Sequence, residues 1–154
     1  MNDFIPSGNG TDTNPTISND GFYPDLTVDE LRNRTGLGSE FKDARIIALA
    51  VDAMIEINTT IMAWRQSLNP AYSQLASIPC AAYGNEPEKV HLYKTALCAR
   101  IRAVVLETTR DYDSTRDGHN KADQLETVAD TWFRQSAEAI ARLTDRNRAT
   151  IELI

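Results

Sequence analysis

The chain has 154 residues, a length that favours a single domain built around one hydrophobic core. Its net charge of −6, from 22 acidic and 16 basic residues, disfavours binding driven by contacts to nucleic-acid phosphates. No run approaches the roughly 18 apolar residues of a membrane helix, and the N-terminus lacks the pattern of a secretion signal. Two cysteines do not make a disulfide framework, so we expect a reducing cytoplasm as the compartment.

The first 20 residues are rich in Asn, Asp and Thr and carry almost no apolar anchors. Such a segment buries too little surface to offset the entropy of ordering it, so residues 1–20 are predicted to form a flexible N-terminal arm. The segment from Gly21 to Leu26 follows, with two aromatic residues before a proline. It is predicted to be extended, with side chains that dock on other parts of the protein.

Helical periodicity and capping signals predict four helices in the rest of the chain. Thr27 and Glu30 form a capping box for a short first helix, and Ser39 is the predicted cap of a long second helix. Asn85 is the predicted cap of the third helix, after a turn signal at residues 83–85. The predicted helices span about residues 28–33, 40–68, 86–112 and 121–146.

The predicted second helix is apolar over more than half of its circumference. A helix of this kind is usually buried on two sides, so it is either the central helix of the fold or a helix that also meets another subunit. Its apolar positions include Ile47, Val51, Met54, Ile55, Ile61, Met62 and Leu68. The predicted inward positions of the last two helices are Val90, Tyr93, Leu97, Ile101, Val104, Thr108, Leu125, Val128, Trp132, Ser136, Ala139 and Leu143.

These elements predict an all-α fold, a small helical bundle of three long helices and one short one, with extended N- and C-terminal arms. The bundle is expected to span residues 21–148. Residues 149–154 alternate between apolar and polar and are predicted to form an extended C-terminal arm, which needs a surface to lie against.

Few residues are arranged for catalysis or metal binding. His91 and Cys98 would lie two helical turns apart, which is too far for direct proton transfer between them. Cys80 and Cys98 lack the spacing of a zinc site. Residues 113–119 match a calcium loop in part only, because Gln124 stands where a bidentate glutamate is required. The sequence therefore predicts neither an enzyme nor a cofactor or metal site.

Two aromatic pairs and a locally basic C-terminal third leave several interpretations open. Trp64-Arg65 and Trp132-Phe133 are expected in the core first and at an interface second, since Trp and Arg are enriched at binding hot spots. The basic stretch fits a solvated helix face, a surface for an acidic protein or a nucleic-acid contact. Its basic residues are Arg134, Arg142, Arg146 and Arg148.

Five segments occur in a fixed order: DGFYPD at 20–25, the helix at 51–65 that closes with Trp-Arg, YKTALCA at 93–99, RDYDST at 110–115 and ELI at 152–154. This ordered set, which spans residues 20–154, resembles the head completion (head stabilisation) proteins of contractile-tailed bacteriophages. The resemblance implies a four-helix, non-catalytic adaptor that forms a ring on the portal, stabilises the DNA-filled head and provides the docking surface for the tail.

The resemblance also implies a set of partners and a location. The partners are the portal protein, neighbouring copies of the chain in the ring, and a tail terminator or other neck protein. Packaged DNA passes through the ring without sequence-specific contact, and no membrane is involved. The protein is expected at the head–tail junction of the virion, and in the host cytoplasm during assembly.

Contact residues are predicted in both arms. The basic start and alternating end of the C-terminal arm suit strand addition or groove docking on the portal. The candidate portal-contact residues are Arg146, Arg148, Ile151, Glu152, Leu153 and Ile154. The candidate inter-subunit residues are Phe22, Tyr23, Pro24, Trp64 and Arg65.

A small dimeric helical-bundle protein that regulates or binds one partner is the alternative function. Such a protein would form a closed twofold assembly in solution, whereas an adaptor would stay monomeric until the portal ring templates its assembly.

Overall fold

A computed structural model describes residues 14–110 and 118–146, with the backbone alone for Arg110 and for residues 118–125. The described part is mostly helical, and two small antiparallel strand pairs depart from the all-α expectation. The helices are α1 (Val28–Thr35), α2 (Asp43–Thr60), α3 (Met62–Ser67), α4 (Glu88–Arg110) and α5 (Gly118–Leu143), with a short 3-10 turn at Leu75–Ser77. The strands are β1 (Thr16–Ile17), β2 (Leu26–Thr27), β3 (Ala82–Tyr83) and β4 (Glu86–Pro87).

The N-terminal strand pair leads directly into α1. Ile17 pairs with Leu26 across β1 and β2, and the side chains of both residues are buried. The Oγ1 atom of Thr27 then accepts a hydrogen bond from the Glu30 N–H at 3.2 Å, so the predicted cap of α1 is confirmed. Gly36 ends the helix in the left-handed conformation, with φ of 70°. The described part of the N-terminal segment therefore belongs to the packed body.

The prediction of one continuous second helix is wrong. The helix begins at Asp43 without a side-chain cap, rather than at Ser39, and it is interrupted at Ile61, where ψ is 12°. Thr59 and Thr60 precede the break, and their hydroxyls bond to carbonyls one turn back. β-branched residues and such local hydrogen bonds both weaken helix continuation. The buried Ile61 side chain then fixes the change of direction into α3.

The buried face of α2 also differs from the predicted stripe. The helix buries Ile46, Ala50, Ala53, Met54 and Ile57. Three predicted stripe residues face outward instead: Val51, Ile55 and Met62 are 39%, 62% and 49% exposed. The two buried alanines explain the difference, because small residues let α2 approach its neighbours closely, a choice that hydrophobicity alone does not reveal.

Helices α4 and α5 form an antiparallel pair that dominates the packing. Small side chains line their contact, and the buried Ser136 hydroxyl donates to the Ala96 carbonyl at 2.8 Å. Val128 was predicted to face inward, but it is 44% exposed, and Ala129 takes the buried position beside it. The predicted inward position Leu125 lies outside the described side chains. The close approach of the two helices again favours the smaller residue.

The hairpin of β3 and β4 positions the start of α4. Gly84 and Asn85 form its two-residue turn with φ of 58° and 64°, as in a type I′ turn. The predicted turn is therefore confirmed, but Asn85 serves in the turn rather than as the helix cap. α4 begins at Glu88, whose N–H donates to the Ala81 carbonyl at 2.8 Å. The last helix begins at Gly118 and ends at Leu143, three residues earlier at each end than predicted.

Gly36→Ala is expected to destabilise the protein more than Gly84→Ala. Each glycine has a left-handed φ, where a Cβ costs about 1–2 kcal/mol. A Cβ on Gly36 would also lie 3.1 Å from Nη1 of Arg102, whereas nothing lies within 4 Å of one on Gly84. Arg102 is held by a hydrogen bond to the Thr35 carbonyl, so it moves only by losing that bond. Urea unfolding measures both losses, and equal losses would contradict the crowding at Gly36.

Candidate functional site

Three aromatic rings lie between the N-terminal segment and α4. The ring of Tyr93 is completely buried and stacks on Tyr23, with centroids 4.7 Å apart and planes 10° apart. The edge of Phe22 meets Tyr23 at 5.0 Å and 88°. Pairs in these geometries add to the free energy gained by burial alone. The aromatic residues before Pro24 therefore dock in the core of their own chain.

The Tyr93 hydroxyl joins three segments. It donates a hydrogen bond to Oδ1 of Asn58 in α2 at 2.7 Å and accepts one from Nδ2 of Asn19 at 2.9 Å. The Nδ2 group of Asn58 donates to Oδ1 of Asn19 at 2.9 Å, which closes the ring of three side chains. Burial raises the pKa of Tyr93 well above its usual value, so the hydroxyl keeps its proton. We call these three residues the Tyr93 triad.

Asp20 and Arg65 close the outer side of this aromatic group. One carboxylate oxygen of Asp20 accepts the N–H groups of Phe22 and Tyr23 at 3.0 and 3.2 Å, and the other pairs with Nη1 of Arg65. The Arg65 guanidinium also lies over the Phe22 ring, 4.5 Å from its centroid. Burial favours the neutral carboxyl, but these bonds outweigh it and lower the pKa of Asp20.

The candidate inter-subunit residues do not all lie on one surface. Phe22 and Tyr23 are only 6% and 3% exposed. Pro24, Trp64 and Arg65 are half-buried. Among these five residues, the exposed surface is therefore made by the outer parts of Pro24, Trp64 and Arg65.

Lys89 fixes the end of α5, from which the C-terminal segment departs. Its buried ammonium donates to the Leu143 carbonyl at 2.9 Å, pairs with Asp145 at 3.0 Å and lies 5.7 Å from the Trp64 ring centroid. A cation at this position neutralises the negative end of the helix dipole. Of the candidate portal-contact residues, the structure describes only Arg146, which is exposed. Arg148, Ile151, Glu152, Leu153 and Ile154 lie outside the described residues.

An ion cluster joins α1, β4 and α4. The Lys94 ammonium lies 2.9 Å from the Glu30 carboxylate and 2.7 Å from the Glu86 carboxylate, and Arg34 pairs with both carboxylates. Burial disfavours the charged form of the Glu86 carboxyl, but these cations and the hydrogen bond with His91 outweigh it and lower the pKa of Glu86. The charges of the cluster neutralise one another, so its role is to hold α1, β4 and α4 together.

The described residues contain no arrangement for nucleophilic or metal chemistry. Burial raises the pKa of the Cys98 thiol to about 12, so it stays protonated at neutral pH. His91 contacts Glu86 at 3.1 Å instead of a nucleophile. Within residues 14–110 and 118–146, no three His, Cys, Asp or Glu side chains are grouped to hold a metal, and no helix is long and apolar enough to cross a membrane.

Sequence reasoning missed the Tyr93 triad and the Lys89 contact. Asn19 was assigned to a flexible arm, and its hydrogen-bond partners are 39 and 74 residues away. The available signals were a lone Asn in an apolar helix, at Asn58, and a lysine directly before the apolar stripe of α4.

Asp20→Asn is expected to flatten the acid dependence of stability. The folded-state pKa of Asp20 lies below its ordinary value of 3.8, so the ionised carboxyl stabilises the fold at neutral pH. This contribution is lost as the pH falls below that value and through the lowered pKa. Thermal melts between neutral pH and pH 2 test this, with Asp130→Asn as an exposed control that keeps the wild-type profile. An unchanged profile in Asp20→Asn would contradict the assigned role.

Comparisons with known proteins identify the family of the chain. The phage head completion protein (GPL) family matches residues 17–154. The head completion/stabilization protein of Escherichia phage P2 is 29% identical over 141 residues, which cover 91% of this chain and 83% of that protein. No solved structure matches the chain. The resemblance seen in the sequence is confirmed, and the chain belongs to the phage head completion protein family.

Proposed function

We propose that this chain is a head completion adaptor that forms a ring on the portal, stabilises the DNA-filled capsid and provides the docking surface for the tail. The observation that carries the proposal is the family match over residues 17–154, which gives the chain a structural role in completing the phage head. The charged and hydrogen-bonding groups of the described residues mostly pair with one another within the body, which supports an architectural function. Among the described residues, these groups form hydrogen bonds and ion pairs between helices and strands rather than a reaction centre.

The division of the chain into a body and two ends supports the adaptor role. In this proposal residues 21–148 form the helical bundle, and residues 1–13 and 149–154 reach neighbouring proteins. Residues 16–19 anchor the first end to the body through β1 and the Tyr93 triad. Ordered bodies with extended ends are suited to large contact surfaces that form on assembly.

The C-terminal segment is the proposed portal contact. The Lys89 contacts with Leu143 and Asp145 hold the end of α5, so the segment starts from a fixed point beside Trp64. Its proposed contact residues are Arg146, Arg148, Ile151, Glu152, Leu153 and Ile154. The outer parts of Pro24, Trp64 and Arg65 are proposed to face a neighbouring subunit, and Phe22 and Tyr23 support them from within.

The remaining partners follow from the position of such a ring. It would receive a tail terminator or another neck protein on the side away from the portal, at the head–tail junction of the virion. Assembly would take place in the host cytoplasm. The net charge of −6 disfavours a grip on the packaged DNA that passes through the ring.

Removing residues 147–154 is expected to abolish binding to isolated portal rings without lowering the melting temperature. The truncation removes the proposed contact segment, but it leaves α5 and the Lys89 contacts in place. Binding is measured by co-sedimentation with portal rings, and electron microscopy checks for added ring density. A full-length variant that carries residues 147–154 in reversed order is the matched control for length and charge, and it is also expected to bind poorly.

Two results would contradict the proposal. If the truncated protein binds portal rings as well as the full-length chain, the C-terminal assignment is wrong. If the full-length chain forms a closed twofold dimer and adds no density to portal rings, the ring itself is wrong and the dimeric protein-binding module takes its place.

A further inference from the structure

A cleft of about 250 Å³ opens between the end of α1, the middle of α4 and α5. Its walls include Thr35, Arg102, Trp132 and Gln135. Trp132 is half-buried, and Val128, one helical turn before it in α5, is 44% exposed. The cleft and its rim therefore combine a cationic group with exposed apolar surface.

Two cations line this cleft, and Arg102 is the one that has no carboxylate partner among the described residues. Nη1 donates to the Thr35 carbonyl at the end of α1, and the guanidinium lies 5.2 Å from the Trp132 ring centroid. Among the described residues, the buried Nε atom has no hydrogen-bond partner and no carboxylate lies within ion-pair distance of the group. Arg34, on another wall, already pairs with two carboxylates. Arg102 is therefore the cation of this cleft that can still pair with a carboxylate from another molecule.

The outer face of α2 has the complementary chemistry. Val51 and Ile55 are exposed and lie one turn apart, and Asp52 borders them on the same side of the helix. Asp52 is exposed, and no described residue pairs with it. This face therefore offers a carboxylate without a described partner beside two apolar side chains. The Arg102 cleft offers a guanidinium without a described carboxylate partner beside Trp132 and Val128.

The cleft and the outer face of α2 lie on different sides of the body. α2 borders the side of α4 on which Arg100 pairs with Glu56 at 3.1 Å. Arg102 is two residues further along α4, which turns it by about 200° around the helix axis. Two complementary surfaces on different sides of one subunit make a head-to-tail contact, the kind that closes into a ring.

We propose that the Arg102 cleft of one copy receives the outer α2 face of the next copy, with Asp52 paired to Arg102. Val51 and Ile55 pack against Trp132 and Val128 around this ion pair. The inference rests on the proposed ring, and it adds a pair of surfaces through which neighbouring copies meet, in addition to the proposed contact of Pro24, Trp64 and Arg65.

Cysteine crosslinking on portal rings tests this contact. The background is Cys80→Ser with Cys98→Ala, into which Asp52→Cys and Gln135→Cys are introduced singly and together, each checked by thermal melting. Treatment with a short bismaleimide is expected to give a ladder of linked chains from the double variant and no products from either single variant. A crosslinked dimer of the Asp52→Cys variant alone would show a twofold contact and overturn the proposal.

Electron microscopy of the same samples tests the proposed ring separately from the proposed interface between copies. Ring density without a ladder overturns this interface and leaves the ring standing. No ring density overturns the proposed ring, and the interface with it. A ladder together with ring density supports both.

A charge exchange provides an independent readout. Asp52→Arg is expected to lower ring occupancy on the portal about tenfold or more, since it sets two cations against each other. Asp52→Arg combined with Arg102→Glu restores the pair in the opposite sense and is expected to recover most of the occupancy. Asp52 is exposed and pairs with no described residue, so wild-type occupancy of the folded Asp52→Arg variant would overturn the proposal.

Discussion

The hydroxyl group of Tyr93 ties together three segments that are far apart in the chain. A buried polar group without a partner is costly, so Tyr93, Asn19 and Asn58 are each held in place by the other two. Their bonds fix where the N-terminal segment crosses α2 and α4. The stacking of Tyr23 on Tyr93 and the Asp20–Arg65 pair depend on that crossing. The position of Arg65 and the neighbouring Trp64 against the N-terminal segment therefore depends on the contacts of Tyr93.

The same use of polar groups recurs through the body. Lys89 holds the end of α5, Ser136 joins α5 to α4, and the cluster around Lys94 joins α1 to α4. In these contacts, titratable groups such as Lys89 and Lys94 are paired with other groups of the body and are not available for a reaction centre. Among the described residues, the surfaces proposed for partners are the outer face of α2, the Arg102 cleft and the outer parts of Pro24, Trp64 and Arg65. Such a distribution suits a protein whose function lies in its contacts with other subunits.

Local signals predicted the parts of the fold that depend on neighbouring residues. The Thr27 cap and the turn at residues 83–85 are correct because hydrogen bonds and glycine conformations within a few residues determine them. The outward position of Val51 depends on which face of α2 meets its neighbours, and periodicity does not distinguish the faces of a helix that is apolar over more than half of its circumference. The break at Ile61 follows two threonines whose hydroxyls bond to the backbone, a local signal that hydrophobic periodicity does not include. The Tyr93 triad consists of contacts between residues that are distant in the sequence, so no local pattern predicts it.

The central proposal is that this member of the head completion family acts at the junction of the phage head with the tail. Electron microscopy of particles made with an early stop codon in its gene tests the claim most directly. The account predicts unsealed or emptied heads beside complete, unattached tails, and restoration of joined virions when the full-length chain is supplied. Normal, joined virions formed in the absence of the chain would contradict the account.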